Sequence, residues 1–154
     1  MRDTPPIAGA WVWLFPATMI IHVAEEALTG ETFPRWISRV TGVDLGFGEF
    51  LGLNAIAFGV IVTGTVLALR LQRGGWALAA LGTAVVANAL LHLGGTALTR
   101  SWSPGVASVT LLWLPLGAYA LHWTWCHAPR VDLAIGLVIG FFAHGLVSLS
   151  LALS

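Results

Sequence analysis

His22, Glu25 and Glu26 fall inside a stretch that is otherwise mostly apolar from Ile7 to Leu28. A charged side chain in a membrane span costs about 3 kcal/mol or more, so such groups are rare there and mark function by default. On a helix, offsets of three and four place both glutamates on the His22 side. Asn88 and His92 stand one turn apart in a second apolar stretch, and His144 with Ser148 in a third. Glu49 and Asn54 lie near the start of a fourth. Imidazole and carboxylate together suit Zn, Fe or Mn. His22, Glu25, Glu26, His92 and His144 are therefore candidate ligands of a divalent transition metal. Glu25, Glu26 and Asn88 are the candidate catalytic residues.

Long apolar helices must position these groups. The chain of 154 residues is 57% hydrophobic and only 9% charged, against about 25% charged in soluble domains. About 20 helical residues cross the hydrocarbon core, and spans must satisfy their backbone internally as helices or closed barrels. The alternating pattern of barrel strands is absent. The expected fold is all-α: a polytopic membrane helix bundle of about five transmembrane helices plus one short interfacial helix. A single transmembrane domain covers 1–154, with spans at about 7–28, 49–71, 76–98, 106–125 and 131–153. Pro16 is expected to kink the first. Thr32 to Leu45, with Arg35 and Arg39 one turn apart and Trp36, Ile37 and Val40 on an apolar side, reads as the surface helix.

Spans one, three and five run parallel, and their histidines lie late in each. Glu49 and Asn54 lie early in antiparallel span two. All are thus expected toward one membrane face, around one polar site. Each also has a blander reading. His22 to Glu26 could be a span end meeting headgroups, Asn88 with His92 interhelical glue, His144 a packed histidine, and Glu49 an interfacial charge. His122 and His127 lie at the opposite end. The tryptophans sit mostly near span ends as an aromatic belt, whereas Trp113 is mid-span and could line a cavity. Gly48 with Gly52 and Gly136 with Gly140 have the spacing for close helix contact.

The expected location is an integral, multi-pass protein of a bacterial-type cell membrane. With a cytoplasmic N-terminus, Arg2, Arg70, Arg73 and Arg130 lie inside and Arg35, Arg39 and Arg100 outside, a narrow margin for the positive-inside rule. The first apolar block is too long for the core of a cleavable signal. Net charge is zero and lysine is absent, so no basic stripe suggests a nucleic-acid partner. Cys126 is the only cysteine, which excludes an intrachain disulfide and a thiolate cluster.

The string His22-Val23-Ala24-Glu25-Glu26, with Asn88-x-x-x-His92 downstream, resembles the HXXEE-domain family of small integral membrane proteins. The likeness runs from the first span through the loop at Pro104-Gly105. It implies a membrane protein and marks His22, Glu25, Glu26, Asn88 and His92 as motif positions. The family is generally described without a known function, so the resemblance supplies no reaction.

Three functions fit these residues. A metal held between facing helices could activate water or oxygen against a lipid-soluble substrate; the spacing of His22 and Glu25 reverses the ExxH order of di-iron bundles. Metal-free acid/base chemistry is the second, because burial favours the neutral forms of both carboxyl and imidazole. It would suit an isomerase or cyclase acting on isoprenoid-like molecules, with an aromatic face such as Trp113 steadying a cation. The third is a small transporter, proton relay or binding protein. The chain is short and lacks a transporter-type repeat, although a homo-oligomer would supply a second half. The expected partners are the lipid bilayer and a hydrophobic small molecule. An enzyme ranks first, its metal-dependent form ahead.

Overall fold

A computed structural model describes residues 9–71 and 73–152. Arg2 and the expected span limits at Ile7 and Leu153 lie outside them. Every regular element among the described residues is helical. A 3-10 turn, Ala10–Trp13, leads into α1, Leu14–Leu28. The short α2, Phe33–Thr41, precedes α3, Phe47–Arg70, and α4, Gly75–Thr99. Then come α5, Val106–His127, and α6, Arg130–Ala152.

Among the described residues four helices, α3 to α6, are long and apolar enough to cross a membrane. The count of five is not matched, because α1 has 15 residues, short of the roughly 20 that the hydrocarbon core needs. Pro16 does not kink a span either. It is the third residue of α1, where the 3-10 turn gives way to α-helix. The first amides of a helix have no intrahelical acceptor, so a missing N–H costs little there.

The buried residues of α1, Phe15, Met19, His22 and Glu26, form one stripe that turns from apolar to polar along the helix. It faces α3 and the start of α5. At the centre lies α4, packed against α3, α5 and α6. Its Leu78, Leu81 and Val85 meet Val12, Phe15, Val109 and Ala120 in the core. In contrast, α3 and α6 turn large apolar side chains outward, among them Ile56, Val60, Val138, Phe141 and Phe142. Such a surface is expected of helices solvated by lipid.

Glycine sets the closest helix approach. A Cβ on Gly140 would lie 2.6 Å from the Ala80 carbonyl oxygen and from Thr83 Cβ, and one on Gly136 would run into Ala79 and the Trp76 carbonyl. The pair four residues apart thus brings α6 onto α4, as small residues do in membranes. Gly48 and Gly52 have the same spacing and no neighbour within 4 Å. Their spacing does not mediate a contact within the chain.

The surface helix is shorter than the sequence suggested, because Gly42 ends it in the left-handed region at φ 79°. Its Trp36 is buried and donates from Nε1 to Ser101 Oγ at 3.0 Å. Arg39 meets Glu31 through two hydrogen bonds of 2.9 and 2.7 Å. These bonds hold the Glu31 carboxyl below the usual carboxylate range. The pair is therefore kept at neutral pH and lost as pH falls through that lowered value, a small effect for an exposed pair. Together these contacts lay α2 across the end of the bundle where α1 stops.

Gly140→Val should lower stability by about 1–3 kcal/mol or prevent folding, since backbone lies on the far side of the contact. Gly48→Ala should leave it unchanged. Thermal unfolding in detergent, followed by tryptophan fluorescence, checks both.

Candidate functional site

The motif of α1 divides into two jobs. Glu25 turns toward α5, where its Oε1 accepts from the Ala107 amide at 3.1 Å and its Oε2 from the Ser108 amide at 2.7 Å. The first four amides of a helix lack intrahelical acceptors, and the residue before α5, Gly105, has no side chain to cap them. The accounting closes here. Val106 N donates to Ser103 O and Val109 N to Gly105 O, and Glu25 takes the two between. Its charge also faces the positive end of the helix dipole. Glu25 is thus a cap supplied from another helix.

His22 and Glu26 turn inward and are buried. Glu26 Oε1 lies 3.6 Å from His22 Nε2 and 3.3 Å from His92 Nε2. One ligand-type atom from each of these three residues lies within 4.8 Å of the others. The two rings stand edge to face, their centroids 5.1 Å apart. Asn88, one turn before His92, brings its amide nitrogen to 3.3 Å from His22 Nε2.

The chain between α4 and α5 sets how the rings point. His22 Nδ1 lies 3.0 Å from Ser108 Oγ, and that hydroxyl donates to the Gly105 carbonyl at 3.0 Å. Its single proton being used, Ser108 accepts from His22 Nδ1–H. His92 Nδ1 lies 3.0 Å from Ser103 Oγ. The His22 ring is thereby assigned the tautomer with N–H outward and the Nε2 lone pair toward Asn88 and Glu26. Gly105, at φ 90°, makes this possible, since a Cβ there would sit 2.6 Å from His22 Cε1 and 3.0 Å from Glu26 Cγ.

A wide π-turn in α5, Val109–Trp113, follows directly. Pro115 has no N–H for the Leu111 carbonyl and would clash with it in a regular α-helix, and widening the preceding turn relieves this. The turn sets the Trp113 ring 4.3 Å from the His22 ring, and its Nε1 donates to Thr18 Oγ1 at 3.1 Å. Phe33, at the start of α2, closes the outer side with its ring 5.7 Å from that of His92.

Beside the cluster is a cavity of about 310 Å³ lined by His22, Glu26, Asn88, His92 and Trp113, with apolar residues of α3 and α6. Asn54 and His144 line it as well. Asn54 hydrogen-bonds the Phe50 carbonyl. His144 interacts electrostatically with His92 but stands outside the triad. Glu49 lies elsewhere: its carboxylate accepts from the Gly46 amide at 3.0 Å and caps α3. His122 and His127 lie near the other end of α5, on exposed surface. Sequence reasoning missed Ser103, Ser108 and Gly105. Their one signal is a polar, Gly-Pro-containing loop between the span bearing His92 and the next.

A bundle of long apolar helices enclosing a His/Glu cluster places the chain among membrane helix-bundle proteins. It belongs to the HXXEE family, described as a protein of unknown function with HXXEE motif, whose model matches residues 13–120. No curated protein and no solved structure matches the chain. The match takes in α1 through α4 and most of α5, hence the triad, both serines and the cap.

Glu25→Gln should destabilise the protein by about 1.5–3 kcal/mol, the worth of hydrogen bonds to a charged group, because an amide offers one acceptor oxygen for two amides. Glu26→Gln should leave the melting temperature within a few degrees of wild type. Parallel thermal melts of the two variants separate cap from cluster.

Proposed function

We propose that this protein is a membrane-embedded enzyme that binds one divalent transition metal through His22, Glu26 and His92 and acts on a lipid-soluble substrate. The observation that carries the reading is the convergence of two imidazole Nε2 atoms on one carboxylate oxygen, at 3.6 and 3.3 Å. Two imidazoles and a carboxylate gathered in a buried site are a donor set that a divalent transition metal takes. Zinc fits best, because bonds of about 2.0–2.1 Å in a tetrahedron give ligand–ligand edges of about 3.3–3.4 Å, close to the 3.3 and 3.6 Å of the two His–Glu pairs. Two histidines and one carboxylate also make the facial set used by non-haem iron, so Fe and Mn follow zinc. Such a metal would polarise a substrate oxygen or activate water.

The protein's own groups fill the remaining roles. Ser103 and Ser108 hold the rings, as outer partners of metal-bound histidines do. Asn88 reaches the cluster edge, where its amide can steady a substrate oxygen. Glu25 is a positioning residue rather than a ligand. The cavity floor is Met19, Ile61 and Val85, with the packed core beneath. This one-ended shape favours chemistry over passage. In this reading the 3-10 turn and α1 together form a fifth, partly inserted helix, and α2 lies at the interface. A metal-free reading rests on the same contact, since a proton on Glu26 Oε1 could bridge to His92 Nε2 and serve as the acid of an isomerase.

Elemental mass spectrometry on protein purified in mild detergent decides between them. About one metal per chain is expected, reduced at least tenfold in His22→Ala, His92→Ala and Glu26→Gln and kept in His144→Ala. Wild-type protein that takes up no Zn, Fe or Mn on reconstitution would sink the metal reading and leave acid/base chemistry.

A further inference from the structure

We infer that the cavity takes a single aliphatic chain with an uncharged polar end, admitted sideways from the bilayer between α3 and α6, and that His144 binds that polar end. This rests on the proposed membrane-embedded site and adds its substrate class and route.

The route follows from how the helices meet. Both α3 and α6 pack on α4, yet they scarcely touch one another. The cavity lies in the gap, with Leu53, Ala57 and Val60 on one side and Ala143, Leu146 and Val147 on the other. Its rim is open to the surroundings, since Val60 is 55% and Leu146 51% exposed. Those rim residues are apolar and stand where lipid tails would surround these two helices. An opening of this kind admits a molecule already dissolved in the bilayer.

The chemistry of the walls selects the molecule. No arginine or lysine is among the lining residues, so a phosphate or sulfate head would find no cation on the protein to pair with. Apolar side chains dominate the walls, and polar groups gather at the triad end. A volume of about 310 Å³ holds about ten methylene-sized groups at about 30 Å³ each, the share of a water molecule. This suits one chain rather than the two of a membrane phospholipid.

His144 supplies the second polar anchor. Its Nε2 is buried without a hydrogen-bond partner among the described residues, though the residue lines the cavity. A buried polar atom left unpaired carries an uncompensated desolvation cost, and a hydroxyl or carbonyl on the ligand would remove that cost. With the triad on one side and His144 on the other, the polar end is gripped between α4 and α6 and the tail points toward the gap.

A photoreactive decanol analogue with a mid-chain diazirine tests this on full-length protein in nanodiscs, with labelled peptides mapped by mass spectrometry. Saturable labelling of α3 and α6 at the gap, competed by excess decanol, is expected. His144→Ala should weaken capture about tenfold, the worth of one hydrogen bond to a neutral group, and His144→Gln should restore part of it. Ala57→Trp should block capture by filling the cavity. Labelling that cannot be competed and spreads over Val138 and Phe141 overturns the inference, as does capture indifferent to His144. Metal content of the same samples separates the two ideas. Metal-free protein with His144-dependent capture keeps the pocket and drops the metal, and metal-loaded protein that captures nothing does the reverse.

Discussion

The bond on which the site depends is the one between the Glu25 carboxylate and the Ala107 and Ser108 amides. In a low-dielectric interior an uncapped helix end is costly, and a carboxylate there is costly too. Each removes the cost of the other. Because the carboxylate comes from α1, the bond also fixes where α5 begins relative to α1. That placement carries Ser108 to His22 and lets Gly105 pass close over the His22 ring. It also starts the π-turn that ends at Trp113. Without the cap the outer ring of contacts around the triad would have no fixed origin.

The orientation of the two imidazoles follows from the same segment. Ser108 takes the His22 Nδ1–H, which leaves the His22 Nε2 lone pair facing inward, and Ser103 Oγ holds His92 at Nδ1. A structure relying on polar glue between helices would pair a donor with an acceptor at each contact. Here His22 Nε2 meets one donor, from Asn88, and His92 Nε2 meets the Glu26 carboxyl. The inner face thus gathers two ring nitrogens and a carboxyl group at one point. This separates the cluster from Thr83 and Thr124, buried polar groups whose hydroxyls are satisfied by carbonyls of their own helices.

Much of this was legible in the sequence, and the gaps have physical causes. The limits of the last four long helices fall within a few residues of those read from hydropathy, because lipid demands uninterrupted apolar runs. His22, Glu26 and His92 stood out for the same reason: ionisable groups are conspicuous in such runs. Helical offsets placed Glu25 and Glu26 on one side of α1 with His22, but adjacent residues are a hundred degrees apart, enough to send one carboxylate to α5 and the other inward. Ser103, Ser108 and Gly105 were read as loop or span because their partners lie on another helix, and contact at a distance leaves no local pattern. The length of α1 was overestimated because an apolar composition does not distinguish a 3-10 turn from an α-helix.

The shortness of α1 also bears on what the site can do. At about 1.5 Å per residue, its 15 residues extend about 22 Å, and its polar stripe occupies the last turns. Immediately after it the chain folds back as α2, held by Trp36 on Ser101 and by Phe33 against His92. The polar end of the cavity is thereby roofed by protein, and its floor is packed core. The open side lies between α3 and α6, the two helices with the most outward apolar surface. A chamber closed above and below and open sideways would, in the proposed reading, keep water from the triad while admitting apolar molecules. That combination is what chemistry on a membrane-dissolved substrate needs, and it is the opposite of what a path from one face to the other would require.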